Sequence, residues 1–218
     1  SCHNFYEGVT QHDVATFYSK FDTRGDAPSW GLNSKLMKEN GQITEHVWKS
    51  GGMYGAAIDK IIGWLEKAQG VAENDNQKTA LGLLIQYYKT GDLKTWDEYN
   101  INWVSDTSRI AAVNGFIEVY LDALGKKDRF ESTVSLKDID ETRRIETIAA
   151  QAQWFEDHSP IMPEHKKAKV KGITGKAITV IVESGDAAPS TPIGINLPNA
   201  EWIRKEHGSK SVSLTNII

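Results

Sequence analysis

The stretch Pro192-Ile193-Gly194-Ile195-Asn196-Leu197-Pro198-Asn199 constrains the fold more than any other. Ile193, Ile195 and Leu197 alternate with Gly194 and Asn196, which is the period-two pattern of a half-buried strand. Proline cannot donate to a ladder, so Pro192 and Pro198 keep the strand short and put it at or near a sheet edge. The free N–H and C=O groups of an edge strand can pair with an extended peptide. Gly194 would let foreign backbone come close, and Asn196 and Asn199 offer amide groups to it. An ordinary edge strand followed by a turn has the same spacing, and spacing alone does not separate the two readings.

The rest of the chain reads as helices and short strands. Thr10 with Asp13 is an N-cap and its partner, leading into a helix whose apolar face is Val14, Phe17, Tyr18 and Phe21. Gly25-Asp26-Ala27-Pro28 ends it. Asn40-Gly41 between Leu32–Glu39 and Gln42–Trp48 predicts a hairpin with a two-residue turn. Helices are expected over Ala56–Ala72 and Asn74–Lys89, the second closed by Gly91, with a short third capped by Asp92 and running through Trp96 to Tyr99. Phe116–Leu121 reads as a strand and Lys137–Asp157 as one helix, stopped by His158-Ser159-Pro160. Lys166–Ile173 has weak strand character and Ala177–Glu183 strong β-branched character. Gly185 to Pro189 forms a turn, Asn199–Glu206 a short helix, and Ser211–Ile218 carries no stop signal.

At 218 residues, 39% apolar and 25% charged, the chain can bury a core as one domain or two small ones. A net charge of -4 gives no basic footprint for nucleic acid, and no apolar run is long enough to span a bilayer. The lone Cys2 excludes an internal disulfide. Beside His3 at the terminus, it reads as a frayed end rather than a nucleophile with its base. None of the six histidines (His3, His12, His46, His158, His165 and His207) has a second His one helical turn away with a Glu between. One cysteine cannot build a structural zinc site. Trp64, Trp96 and Trp154 fall in predicted helices, where core packing is simpler than sugar stacking.

In the predicted strand Phe116–Leu121, period two sets Phe116, Glu118 and Tyr120 on one face and Ile117, Val119 and Leu121 on the other. The Glu118 carboxylate then lies roughly 6.5–7 Å along the strand from the Tyr120 phenol. A carboxylate can hold a protonated amino terminus, and a phenol can donate to a carbonyl oxygen as it becomes an oxyanion. A solvated Glu beside a rim Tyr fits the same pattern.

Several ordered blocks carry a resemblance. Gly194-Ile195-Asn196-Leu197-Pro198-Asn199 followed by Gly208-Ser209-Lys210-Ser211-Val212-Ser213-Leu214 resembles a signature block of the dipeptidyl peptidase III family, zinc metallopeptidases that remove dipeptides from peptide N-termini. Asn4-Phe5-Tyr6-Glu7-Gly8-Val9-Thr10, Gly51-Gly52-Met53-Tyr54 and Asn114-Gly115-Phe116-Ile117-Glu118-Val119-Tyr120-Leu121-Asp122 agree in the same order, and the likeness is greatest to bacterial members. The family's zinc motif, His-Glu-x-x-Gly-His, and its second glutamate block do not occur in these residues. Both follow the corresponding stretch in the family, so the chain is expected to be a fragment of a longer enzyme that ends before the zinc-binding motif.

The resemblance implies roles. Glu118 would help hold the substrate's amino end, Tyr120 would support the scissile carbonyl as the catalytic residue, and Gly194, Asn196 and Asn199 would bind the N-terminal residues. This chain departs from the family at Asp122-Ala123, where Asp-Pro is usual, and at Lys126-Lys127-Asp128-Arg129-Phe130-Glu131, which keeps the aromatic-Glu pair but lacks a typical Arg-Gly. Ala200 stands where many relatives carry an aromatic.

The expected fold is therefore α+β, a helical portion packed with a small, mainly antiparallel sheet or partial β-barrel, resembling the lower lobe of the family. The expected parts are 1–136, helical and β lower-lobe; 137–165, a helix resembling an upper-lobe element; and 166–218, β-rich and substrate-binding. The expected function is the substrate-binding piece of a zinc exopeptidase, inactive alone, with zinc in the full-length enzyme and none bound here. Its expected partners are short peptides with a free N-terminus, the zinc-bearing lobe of the same chain and, through uncovered apolar surface, other copies of itself. Nucleic acid and membranes are not expected partners. A non-catalytic peptide-binding module is the alternative, and a standalone hydrolase with an unrelated site is a third reading.

Overall fold

A computed structural model describes residues 4–170, 173–188 and 191–216. Cys2, His3, Lys171-Gly172 inside the expected Lys166–Ile173 strand, Pro189 and the two final isoleucines lie outside the described residues. The chain forms two compact units: Ser1–Asp106 with Gly115–Glu131, and Thr107–Asn114 with Ser132–Ile218.

The first unit begins with β1 (Tyr6–Glu7) and α1 (Gln11–Tyr18). The Thr10 hydroxyl accepts the Asp13 N–H while the Asp13 carboxylate accepts the Thr10 N–H, so the expected cap is a complete capping box. β2 (Ser34–Glu39) and β3 (Gln42–Val47) form the expected hairpin. Asn40 and Gly41 both have positive φ, 51° and 81°, as the twist-matched two-residue turn requires. β1 joins β2 in parallel and completes a three-stranded sheet. Val14, Tyr18 and Leu36 pack between this sheet and α1, flanked by Phe17, Phe21 and Trp30.

Three helices follow: α2 (Gly55–Gly70), α3 (Asp75–Thr90) and α4 (Leu93–Ser105). Asn74 caps α3, and Gly91 ends it in the left-handed conformation. α4 runs well past the expected Tyr99. Its local propensity is poor, but Trp96, Tyr99, Trp103 and Val104 recur at helical spacing and are all buried, so tertiary packing extends it. Trp96 is core as expected. Trp64 is 69% exposed and Trp154 is 52% exposed, which corrects the core assignment for those two.

The second sheet has the order β4-β5-β6-β8-β7, from β4 (Ile110–Phe116), β5 (Phe130–Lys137), β6 (Ile173–Gly185), β8 (Ser209–Leu214) and β7 (Gly194–Leu197). β6 and β8 are parallel, whereas β7 and β8 are antiparallel. The protein is thus α+β with two mixed sheets. α5 (Ile139–Ala149) packs on β6, with the buried Thr142 hydroxyl accepting the Ala177 N–H at 3.2 Å. The single helix expected over Lys137–Asp157 is two helices. The first stops at Ala149, and α6 (Ala152–His158) begins after Gln151, whose backbone (φ -95°, ψ 11°) leaves the helical region. The short α7 (Glu201–Glu206) lies between β7 and β8.

Gly115 matters for how the first unit closes. Its φ is +156°, and a Cβ there would sit 2.5 Å from Trp96 Cη2. The Trp96 ring cannot easily retreat, because it packs against Tyr87 and Tyr99 with centroids 5.0 and 5.1 Å away. Gly115→Ala is expected to cost about 2–3 kcal/mol in urea unfolding through overpacking. Adding Trp96→Phe should restore part of that loss. A midpoint for Gly115→Ala equal to wild type would show that the ring yields.

Candidate functional site

The segment that carries Glu118 and Tyr120 is not the strand its alternation predicts. β4 ends at Phe116, and residues 117–119 leave the ladder. The cause is local. The Asp128 carboxylate accepts the N–H groups of both Ile117 and Glu118, the donors that a continuing strand would give to a neighbour. Phe116 remains an anchor inside the unit, its ring 4.9 Å from Trp48 and edge-on to Phe130 at 6.2 Å.

Beyond the bend, Tyr120 is 81% exposed and Glu118 is half-buried. The two meet. A hydrogen bond to the Glu118 carboxylate, together with its charge, holds the Tyr120 phenol above its ordinary value. Asp122 then fixes the turn. One of its oxygens accepts the Leu124 N–H at 3.0 Å; the other accepts those of Lys126 and Lys127 at 2.9 and 3.0 Å and the Tyr6 hydroxyl at 2.7 Å. Burial and this Asp122 contact push the Tyr6 phenol far up. Ala123, at the usual proline position, therefore follows a turn already set by four donors. A largely apolar cavity of about 780 Å³ borders Phe116, Trp48, Tyr54, Ile61 and Phe130 in the same unit, and neither Glu118 nor Tyr120 lines it.

In the second unit, β7 is a terminal strand paired to β8 over Gly194↔Ser213 to Leu197↔Lys210. The expected short edge strand is present. Ile195 packs with Ile178, Val212 and Leu214, and Leu197 is buried, while Gly194 and Asn196 are exposed. Ile193 is 69% exposed and precedes the strand, so it does not join the inward set. The Asn196 carbonyl oxygen accepts the Ser211 hydroxyl at 3.3 Å, which orients its amide. A Cβ at Gly194 would lie 3.3 Å from the Val212 carbonyl oxygen, so the glycine also serves the approach of the neighbouring strand. Asn199 is exposed just before α7.

The five residues thus form two sets. Glu118 and Tyr120 are together in the first unit; Gly194, Asn196 and Asn199 are together at one end of the second. Asp128 was not singled out as a site residue by the sequence, where it is one acid in a polar loop. The only cue was its place in a segment that departs from the family pattern. Among the described residues, no group of three His, Cys, Asp or Glu side chains is placed to hold a metal ion, and no helix is long and apolar enough to cross a membrane.

Comparison with known proteins agrees with the ordered blocks. The model of peptidase family M49 matches residues 29–218. Dipeptidyl peptidase 3 of Rattus norvegicus is 29% identical over 188 residues, covering 86% of this chain and 25% of the rat protein. The Homo sapiens protein of the same name is 29% identical over 168 residues, covering 77% and 22%. A protein from Arabidopsis thaliana, Nudix hydrolase 3, is 25% identical over 166 residues, covering 76% and 21%. Among solved structures, DPP III from Caldithrix abyssi superposes with a TM-score of 0.82 at 23% identity over 98% of this chain and 41% of that one. Dipeptidyl-peptidase III from Corallococcus sp. strain EGB gives 0.81 at 23% identity, over 98% and 40%. These two likenesses establish the fold. The chain spans about a quarter of the length of the curated relatives it matches. With 190 of its 218 residues inside the family model, this chain belongs to peptidase family M49.

Proposed function

We propose that this chain is the substrate-binding part of a longer zinc-dependent exopeptidase that releases dipeptides from the N-termini of peptides; the relatives' names support a dipeptidyl peptidase, and the zinc and the N-terminal specificity follow from the resemblance of its sequence blocks. The observation that carries the reading is the Glu118–Tyr120 contact inside a block that resembles the family's own. Glu118 takes the protonated amine by a charge-assisted hydrogen bond. Tyr120 is the catalytic residue and donates to the carbonyl oxygen of the scissile bond. The edge strand at Gly194 and Asn196, with Asn199 after it, pairs with the backbone of the substrate's first residues. Capturing the amine at a fixed distance from the cleavage point limits the product to a dipeptide.

A metal in such an enzyme polarises the carbonyl and activates water. Among the described residues no group of three His, Cys, Asp or Glu side chains fits a zinc site. The isolated chain is expected to cleave no dipeptidyl substrate even with zinc present. Its affinity for peptides should be weak, because one part of a binding site offers few contacts against the ordering cost. Calorimetric titration with a short peptide and its N-acetylated twin tests the reading. Only the free amine should bind measurably, and Glu118→Gln should abolish the difference. Equal binding of both peptides would remove the roles given to Glu118, Asn196 and Asn199.

A further inference from the structure

The bend after β4 depends on one buried carboxylate. Asp128 is 1% exposed. Its Oδ2 accepts the amides of Ile117 and Glu118, while its Oδ1 is buried without a hydrogen-bond partner among the described residues. Two donors on one charged oxygen make a strong, directional clamp. Losing the carboxylate would take this shared acceptor from both amides at once.

We propose that Asp128 is the positioning residue of the Glu118–Tyr120 pair: it turns the chain out of the ladder by binding two consecutive amides and so fixes where these two side chains stand. The clamp is a property of the fold alone. Its value for amine capture rests on the function proposed above. Asp128 does not touch substrate and acts only through the backbone of residues 117 and 118.

The surroundings give the clamp a pH signature. Burial pushes the Asp128 carboxyl up to about 7 against the N–H groups of Arg129, Ile117 and Glu118, and the Glu118 charge adds to the rise. Tyr87 and Tyr120 are the other titratable groups that feel its charge, and both phenols are held up, so neither ionises near neutrality. Protonation of Asp128 therefore weakens the clamp as the pH falls through about 7.

The test uses two variants and two measurements on the chain as it stands. Asp128→Asn keeps a neutral acceptor and nearly the same volume; Asp128→Ala removes the acceptor. In amide hydrogen exchange followed by NMR, Ile117 and Glu118 should lose about tenfold protection in Asp128→Ala and less in Asp128→Asn, with the amides of α3 unchanged. In wild type their resonances should move together with pH near 7, and in Asp128→Asn they should not. The free-amine peptide should bind about tenfold more weakly to Asp128→Ala, approaching its acetylated twin. If Asp128→Ala does not fold, Asp128→Asn alone decides through the loss of the amide titration. Unchanged exchange and titration at Ile117 and Glu118 in the variants would overturn the clamp, whatever the peptides do. Released amides with wild type binding both peptides equally would uphold the clamp and reject the amine-capture reading instead.

Discussion

Lys127→Met is expected to destabilise the chain by about 3 kcal/mol, because it removes a buried amino group whose hydrogen bonds tie four segments together. Lys127 has no exposed surface. Its ammonium donates to the Tyr18 hydroxyl at 2.8 Å, the Ser34 hydroxyl at 2.8 Å and the Gly31 carbonyl at 3.1 Å. The Glu45 carboxylate lies 3.9 Å away and accepts from Tyr18 at 2.5 Å and Ser34 at 2.7 Å. α1, the start of β2, β3 and the loop after Tyr120 therefore share one charge-balanced knot. Methionine keeps most of the volume, so the loss reports the polar contacts rather than a cavity. With the cation gone, Glu45 keeps its charge in a partly buried place, and adding Glu45→Gln should recover about 1 kcal/mol.

The knot also has a sign in pH. Burial pushes the Lys127 ammonium down to about 8, against the charges of Glu45 and Asp122, which hold it up. For a cation whose folded value is depressed, the unfolded chain binds more protons between the two values. Stability from this group is thus fully present above about 10.5 and is lost as the pH falls through about 8. The gap between wild type and Lys127→Met should widen from pH 8 to pH 10. Urea unfolding at both pH values checks this. A variant within about 0.5 kcal/mol of wild type at pH 10 would show the knot to be ornamental.

What the sequence made legible were features set by neighbours in the chain. The Thr10–Asp13 box, the Asn40-Gly41 turn, the Gly91 stop and the proline-bracketed strand at Gly194–Leu197 each depend on a few adjacent residues whose stereochemistry admits little else. What stayed hidden was set at a distance. β5 buries Thr133 and Ser135, so its inward face is polar and the usual alternation is masked. The alternation of Phe116–Leu121 was real but was overruled by an aspartate ten residues beyond Glu118. The pairing of Glu118 with Tyr120 survived this error, because two residues two apart can meet across a bend as well as along a strand. Lys127 and Asp128 stood out in the sequence only as part of a segment that departs from the family pattern, and only the folded chain shows both inside it.

Asp97→Asn should raise stability at pH 8 by about 3 kcal/mol, the reverse of what replacing a buried charged residue usually does. Asp97 follows the N-cap Asp92 by five residues on α4 and is 6% exposed. Burial pushes its carboxyl up to about 7, and the charges of Asp92 and Asp26 add to the rise. Nothing in that set favours the ionised form. A carboxyl with a raised folded value binds its proton more tightly in the folded chain, so stability falls as the pH rises from about 4 to about 7 and stays low above. Each unit of pH in that window is worth about 1.4 kcal/mol, and the cost of burying the amide takes back part of the total. Asparagine cannot ionise, so its advantage should be full at pH 8, about a third as large near pH 5.5 and turned into a loss of about 1 kcal/mol near pH 4, where only the cost of burying the amide remains. Asp128 titrates in the same window but is present in both proteins, so it cancels in the difference. Urea midpoints of the two proteins at these three pH values decide it. An advantage independent of pH would mean that Asp97 is destabilising through its shape rather than its charge. A loss at pH 8 would mean that the carboxylate has a favourable role in the folded unit that outweighs its burial.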